Sequence, residues 1–586
     1  MKQEKYNRYI RRLMARLQKL QNENGSWADN NFINSLVAYS LSEINAAVKI
    51  PTMEKMLSST VDYILSQKSL TWSWNYYPNE KYKHSRTKYP DDLDDTFCSL
   101  IAIHKIRPEI ITPRILEYTD KILAGSATKT GGPYSTWIGV SSKNALWDDI
   151  DPVVNANFTA FYSMIKTEAN NKTRTKIAGI TKYIDDSLSE KNIPSNYYDN
   201  SLLAYYFIAR NYRGFKRNAL IGKILENLDR AKASGGKNVG LFAEIALATC
   251  ALSRLHAPFE TIGRLVEILQ KQIISTKAIN EATTEKTPLY VEKIIAGKKY
   301  HAYSDAFTLA VCGEALSLYQ KEASLLEKIY SAAQQRCKIA PNPLRSQALG
   351  MLEKMFRSGA LKDILLLPYR ISNSTNIDYG LISLYGWIAY TLYDRIIDKK
   401  ETPQLLPVAN LFHREMIVEC DKCIDEKYPE LFHVFQKILD TIDNAQANEA
   451  LKNRTQIPSK RQIVDKSIGL ILPSLLALIH DGMSAHGPEM KRFVRLFRDY
   501  IFVRQMSDDI RDWREDTKNG IVTRVTGKIG KNKKWRIISA REIITCYTAA
   551  HNEIDQMRAS PTELFLVSLI GEYAMIAKQF LKNNPE

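Results

Sequence analysis

The chain has 586 residues, 45% of them hydrophobic, and a formal net charge of +17, which allows two or more packed domains and calls for an anionic partner. Lys and Arg are spread along the sequence, and the one dense run, Lys528 to Arg536, belongs to no recognisable nucleic-acid-binding module, so nucleic acid is not expected, while an anionic lipid and an anionic small substrate both stay open. The longest apolar run, Ile468 to Ile479, is interrupted by Pro473 and Ser474 and falls short of the ~20 residues a membrane span needs; the first dozen residues carry no hydrophobic signal segment, and seven scattered cysteines read as reduced thiols. A cytoplasmic protein without integral membrane association is the expectation.

From the N-terminus to about residue 340 the pattern is helical, with apolar stretches such as Phe32 to Ile44 and Gly240 to Leu255 separated by short polar turns and no sustained period-two alternation. Gln21-Asn-Glu-Asn-Gly25-Ser26-Trp27 and Trp72-Ser-Trp74-Asn-Tyr-Tyr77 read as sharp turns with aromatic fillers between helices. Tyr89-Pro90-Asp91-Asp92-Leu93-Asp94-Asp95-Thr96 then leads into an apolar helix. Four acids there admit two readings: a cap on the positive end of the helix, or a proton donor, since crowded carboxylates do not all ionise and one is held protonated near neutral pH. Gly131 to Trp137, Asp151 to Asn157 and Tyr300 to Thr308 follow. Asn155 and Asn157 fit a helix cap better than a cavity lining. Cys250, His301 and Cys312 lack the local spacing of a zinc site, and so does the lone pair Cys420 and Cys423.

Lys338 to Pro343, with two prolines, reads as a linker before a helix from Arg345 to Phe356. The second half is again helical. Asp394 and Asp398 lie one helical turn apart, with Arg395 pointing roughly 100° away. Asp465 to Pro473 carries small residues that make room either for a ligand chain or for close helix packing. In Gln505-Met-Ser-Asp508-Asp509-Ile-Arg511-Asp512-Trp-Arg514-Glu515-Asp516, positions 508, 512 and 516 stack on one face with Gln505 and Asp509 beside them. Stacked like charges repel, so this row implies either a cation such as Mg²⁺ or plain solvation, with Arg511, Arg514 and Lys518 as local counter-charges. The basic run after it reads as a solvated loop or as a mobile lid over an anion.

The run Q-x-x-D-x-x-R-D-x-x-E-D at 505–516 resembles the second aspartate-rich motif of the all-helical isoprenoid synthases, in its squalene/phytoene synthase form, and the stretch from Leu384 to Asp398 resembles the first, departing from it at Arg395. Asp92-Leu93-Asp94-Asp95-Thr96 resembles the D-x-D-D-T acid of class II terpene cyclases and squalene-hopene cyclases, and Gln21 to Trp27 is similar to their Q-x-x-x-G-x-W repeats. The resemblance implies an all-α chain, an α/α-barrel over 1–340 followed by an isoprenoid-synthase-like helical domain over 341–586. It implies a bifunctional terpene cyclase. Asp94 would be the general acid, oriented by Asp92 and Asp95. Asp394, Asp398, Asp508, Asp509, Asp512 and Asp516 would bind Mg²⁺, and Gln505, Arg511 and Lys518 would contact a C15 or C20 prenyl diphosphate. A homo-oligomer is compatible with this reading. Its rivals are a chain with one working site, class I or class II alone, a squalene/phytoene-synthase-like prenyltransferase, for which the second domain lacks a Gly-Gly-Lys isopentenyl diphosphate motif, and a non-enzymatic lipid-binding protein.

Overall fold

The computed structural model describes residues 2–79, 89–139, 147, 149–165, 171–234, 241–274, 288–295, 298–398, 400–424, 430–451, 456–529, 534–554 and 559–583. The chain forms two compact units, Met1–Glu322 and Ala323–Glu586.

The first unit is built on helices α1 (Lys2–Gln18), α2 (Asn31–Ala47), α3 (Pro51–Ser66), α4 (Leu93–Ile106), α5 (Pro113–Ser126), α6 (Pro152–Met164), α7 (Asn171–Ser187), α8 (Ser201–Ala209), α9 (Arg217–Ser234), α10 (Leu241–Arg254), α11 (Phe259–Ile274) and the first half of α12 (Asp305–Ile339). Helices α2, α4, α6, α8 and α10 pack side by side in sequence, each backed by one of the others. The ring closes where Ser40 of α2 donates to Glu314 of α12 at 2.7 Å and a side chain at Gly313 would collide with Ile44. The result is an α/α-barrel. Its inner helices are buried nearly all round: residues 31–41, 95–103 and 152–162 are closed to solvent without a break. That is why their sequences read as unbroken apolar runs rather than as a stripe.

One device sets where the inner helices start. Asn30, Asp92, Asp151 and Asn200 cap α2, α4, α6 and α8, each side chain accepting a backbone N–H of its own first turn. The capping of α6 therefore belongs to Asp151, and Asn155 and Asn157, expected as caps, lie inside the helix. Gln21 shows what its motif does: its amide nitrogen donates to Gly25 O, Met56 O, Ser59 and Thr60, while Gly25, at φ +88°, presses so close to Ser59 that no Cβ fits. A departure from the purely helical expectation is a short antiparallel hairpin, β1 (Val291–Ile295) and β2 (Lys298–His301), with a bulge near Val291.

The second unit is a bundle of α13 (Leu344–Phe356), α14 (Gly359–Ile371), α15 (Asp378–Ile397), α16 (Leu406–Cys423), α17 (Glu430–Leu451), α18 (Lys460–Ser467), α19 (Leu472–His480), α20 (Pro488–Lys518), α21 (Thr526–Ile529), α22 (Trp535–Glu553) and α23 (Pro561–Asn583). Gly469, in the 3-10 turn between α18 and α19, faces Ile442 so closely that a Cβ would sit 2.9 Å from its Cδ1, so close packing accounts for it. Two helical stretches, Lys460–His480 and Pro561–Asn583, are long and apolar enough to cross a membrane. Uninterrupted apolar runs understate this length, because a helix accumulates apolar length across isolated polar residues. Two thirds of the first stretch's apolar window is buried within the protein, as for a bundle core helix, and 44% of the second's.

Candidate active sites

At the capped end of the barrel, the loop before α4 is pinned by paired backbone at Trp74, Asp92 and Trp137, and Asp91 accepts from Ser73. The three acids behind it separate by burial. Asp92 and Asp95 retain 6% and 3% of their surface, whereas Asp94 is partly exposed, so only Asp94 can be reached. Asp92 caps the helix, accepting from the Asp95 N–H at 2.7 Å, so the capping reading holds for that residue. Asp94 accepts from Asn157 Nδ2 at 2.5 Å on Oδ1 and from the Tyr198 hydroxyl on Oδ2. No Lys or Arg ion pair reaches the three among the described residues. Burial, reinforced by the charge of Asp92 and opposed by the hydrogen bonds from Tyr198 and Asn157, pushes Asp94 up to about 8. Burial raises Asp92 and Asp95 as well, the charge of Asp92 adding to the rise of Asp95, and burial raises Asp151 to about 6. A carboxylic acid that is neutral at pH 7, partly exposed and hydrogen-bonded by neutral groups is a proton donor in waiting.

Aromatic rings pack against one another at this end of the barrel. Phe32 meets Tyr290 edge-on at 5.1 Å and Tyr198 at 6.5 Å, and Trp137 contacts Trp147 at 4.5 Å and Tyr197 at 6.1 Å. Tyr76 and Tyr290 share a hydrogen bond at 2.9 Å. Trp27 and Trp74 are by contrast fillers, their indole N–H groups bonded to Leu17 O and Ile64 O.

In the second unit a cavity of about 840 Å³ is lined by Asp394 and Asp398 from α15, Asn444, Asn448 and Glu449 from α17, Asp465 and Lys466 from α18, and Gln505, Asp508, Asp509, Arg511, Asp512, Glu515 and Asp516 from α20. The fold thus brings both aspartate motifs to one space. Several of these carboxylates have a cation of the chain beside them. Lys466 bridges Asp394 and Glu449, Lys400 donates to Asp516 at 2.9 Å, and Arg511 pairs with Asp508 at 2.9 Å and with Asp512 at 3.0 Å. Arg395 lies 3.6 Å from Glu401. Gln505 donates to Asp509 at 2.9 Å; burial nonetheless raises Asp509 to about 7, and burial beside Asp394 raises Asp398 to about 6. Lys518, expected to contact substrate, is exposed at the end of α20 and is not part of the lining.

Among the described residues, no three His, Cys, Asp or Glu side chains converge closely enough to hold a metal ion alone. The donor chemistry still suits Mg²⁺, which takes hard oxygens, commonly one or two carboxylates completed by phosphate and water. Of the basic run, Lys531 and Lys533 lie outside the described residues; Lys528 pairs with Glu542 at 3.0 Å and Arg536 stacks on Trp513 and Trp535.

Sequence reading missed Tyr198, Glu449 and the bridging place of Lys466, and gave Asn157 the wrong task. Only Asn157 carried a signal, a polar residue within an otherwise apolar helix.

No protein-family model matches the sequence, and no curated protein does. Among solved structures, the type II terpene cyclase MstE from Scytonema aligns over 55% of this chain and 99% of its own at 12% identity and a TM-score of 0.36. Its complex with merosterolic acid A aligns at 13% identity over 55% and 98%, TM-score 0.32. Abietadiene synthase from Abies grandis aligns over 94% of this chain and 62% of its own at 11% identity, TM-score 0.26. At such low scores the chemistry of this chain has to rest on its own residues.

Proposed function

We propose that the protein is a terpene cyclase that protonates a linear prenyl diphosphate, of C15 or C20 length, in the barrel and then ionises the diphosphate in the helical bundle. The observation that carries the reading is Asp94: partly exposed, held neutral by burial, and hydrogen-bonded by Tyr198 and Asn157.

The first step follows from that geometry. The terminal alkene's π pair forms a C–H bond with the Asp94 proton as the O–H bond breaks, leaving a tertiary cation and a carboxylate. Tyr198 and Asn157 donate to both oxygens of that carboxylate, while aromatic faces such as Tyr290 and Trp137 stabilise the cation as inner double bonds attack it. Closing the cascade by proton loss, or by water, returns the charge balance. In the bundle, Asp394, Asp398, Asp508, Asp509, Asp512 and Asp516 would hold Mg²⁺, which when bound supplies positive charge to a leaving diphosphate. Lys466, Lys400 and Arg511 line the same space and offer phosphate oxygens direct ion pairs.

A second reading is favoured by a specific feature: four of the six bundle aspartates, Asp394, Asp508, Asp512 and Asp516, are already paired with Lys466, Arg511 or Lys400, and Arg395 stands within the first motif. On that reading the barrel alone is active and the product keeps its diphosphate. Incubation with C10 to C25 prenyl diphosphates, with and without Mg²⁺ and isopentenyl diphosphate, distinguishes the two. The proposal expects a cyclic product and free diphosphate; the second reading expects a cyclic diphosphate, seen as a cyclic alcohol after phosphatase. Chain elongation instead would overturn both.

A further inference from the structure

Arg210, the residue that ends α8, is placed where a cation is costly. Its guanidinium lies over the rings of Tyr39, Phe207 and Tyr206, at 4.4, 4.6 and 5.0 Å. Glu314, the carboxylate of that region, is taken up by Arg254, Ser40 and Tyr206. The hydrogen bonds of Arg210 run from Nη1 to Asn157 Oδ1 at 3.4 Å and to Cys98 Sγ at 3.7 Å, and its Nε and Nη2 are buried without an acceptor among the described residues. Aromatic faces offset part of the desolvation, but a leucine or methionine would fill this space at lower cost. A reason for a guanidinium is therefore needed, and the hydrogen-bond grammar supplies one.

An arginine has donors and no acceptor, so the amide atom of Asn157 that faces it must be the oxygen. The orientation of the amide follows from chemistry, without any assignment of its two ends by size. The amide nitrogen then faces Asp94 Oδ1, and an N–H there can only donate. Oδ1 must accept in both charge states. In the neutral acid it is the carbonyl oxygen, and the proton is confined to Oδ2. At Oδ2 stands the Tyr198 hydroxyl, which has both donor and acceptor capacity; by donating to a lone pair of Oδ2 it leaves the O–H bond free to swing to the alkene.

From this chain of contacts we infer that Arg210 is a positioning residue: by holding the oxygen of Asn157 it confines the transferable proton of Asp94 to Oδ2. The inference rests on Asp94 being the acid. Without the guanidinium the amide is free to turn over, presenting its oxygen to Asp94 and drawing the proton to Oδ1, on the side away from Tyr198. The same guanidinium occupies the faces of Tyr39, Tyr206 and Phe207, which leaves cation stabilisation to the rings at the capped end.

The test uses the full-length protein and two readouts. One is the carboxyl C=O stretch of Asp94 in the substrate-free protein at pH 6, isolated by infrared difference against Asp94→Asn. The other is turnover of farnesyl or geranylgeranyl diphosphate, whichever the wild type cyclises. The wild type should give one carbonyl band. Arg210→Met should split it into two populations and lower kcat by about 10²-fold with KM unchanged, since misplacement of a reacting group by about 1 Å has a cost of that order. Arg210→Lys, which also only donates, should restore a single band and most of the rate. Should Arg210→Met fail to fold, Asn157→Asp decides: beside Arg210 its carboxylate can only accept, so it draws the Asp94 proton to Oδ1 and kcat should fall comparably in a folded protein. An unsplit band in Arg210→Met, whether or not the rate falls, overturns the inference, as does wild-type kcat in Asn157→Asp. Loss of activity in Asp94→Asn together with an unaffected Arg210→Met refutes the positioning role alone; wild-type activity in Asp94→Asn refutes the acid reading beneath it.

Discussion

The two units give their aspartates different neighbours. In the barrel, Asp92 and Asp95 are buried and Asp94 is partly exposed with neutral hydrogen-bond partners, and desolvation raises the proton affinity of all three, so Asp94 is an acid at neutral pH. In the bundle, Asp394, Asp508, Asp512 and Asp516 line a cavity and pair with lysine or arginine, while burial raises their neighbours Asp398 and Asp509 to about 6 and about 7. The side chain is the same. Solvent access and the charge of the neighbour decide whether it gives a proton or binds a cation, and the contrast can be broken one residue at a time.

The largest effect should come from the acid. Asp94→Asn keeps size and most hydrogen bonding but removes the proton, so protonation-initiated cyclisation should fall by about 10²- to 10⁴-fold, with acyclic products from any ionisation that continues. Asp508→Asn with Asp512→Asn should do the converse and leave a cyclised diphosphate, identified as the alcohol by mass spectrometry after phosphatase. An Asp94→Asn enzyme that makes the wild-type product at the wild-type rate would reduce the barrel to a scaffold.

Metal removal comes next. Excess chelator should stop diphosphate release from the bundle while the helical circular dichroism and the barrel's protonation step persist. Release that continues undiminished would detach both aspartate motifs from metal.

The two clusters should also answer pH in opposite senses. Protonation should decline as pH rises through about 8, where Asp94 ionises, and divalent-ion binding should weaken as pH falls through about 7 and then about 6, where Asp509 and Asp398 protonate in turn. Stability carries the same signature for Asp94. Its folded pKa exceeds the unfolded value of about 3.9, so between about 4 and 8 the native state binds more protons than the unfolded chain and stability falls as pH rises. Asp94→Asn should flatten that slope in urea titrations run from pH 5 to 9.

The smallest effect concerns Lys466. Replacing it with Gln removes the cation that bridges Asp394 and Glu449, so Mg²⁺ should bind several-fold more tightly by calorimetry, in keeping with the roughly 1 kcal/mol or less of a partly exposed pair. Weaker binding would show that the lysine supports the site rather than competing for it.

Much of this molecule was legible from local pattern. Helical periodicity, the Asp92 cap and the acid rows at 92–95 and 505–516 depend on residues within a turn or two of each other, and such spacings are fixed by backbone geometry. What only the tertiary structure decided are the contacts between residues far apart in sequence. Which of three adjacent aspartates is reachable was set by the packing around α4; the meeting of Asp94 with Asn157 and Tyr198, 63 and 104 residues away, was set by closure of the barrel. Lys466 lies 72 residues from Asp394 and reaches it only because α15 and α18 wall one cavity. A sequence states which groups are titratable, but their proton affinity depends on burial and on neighbours, and both are properties of the folded chain.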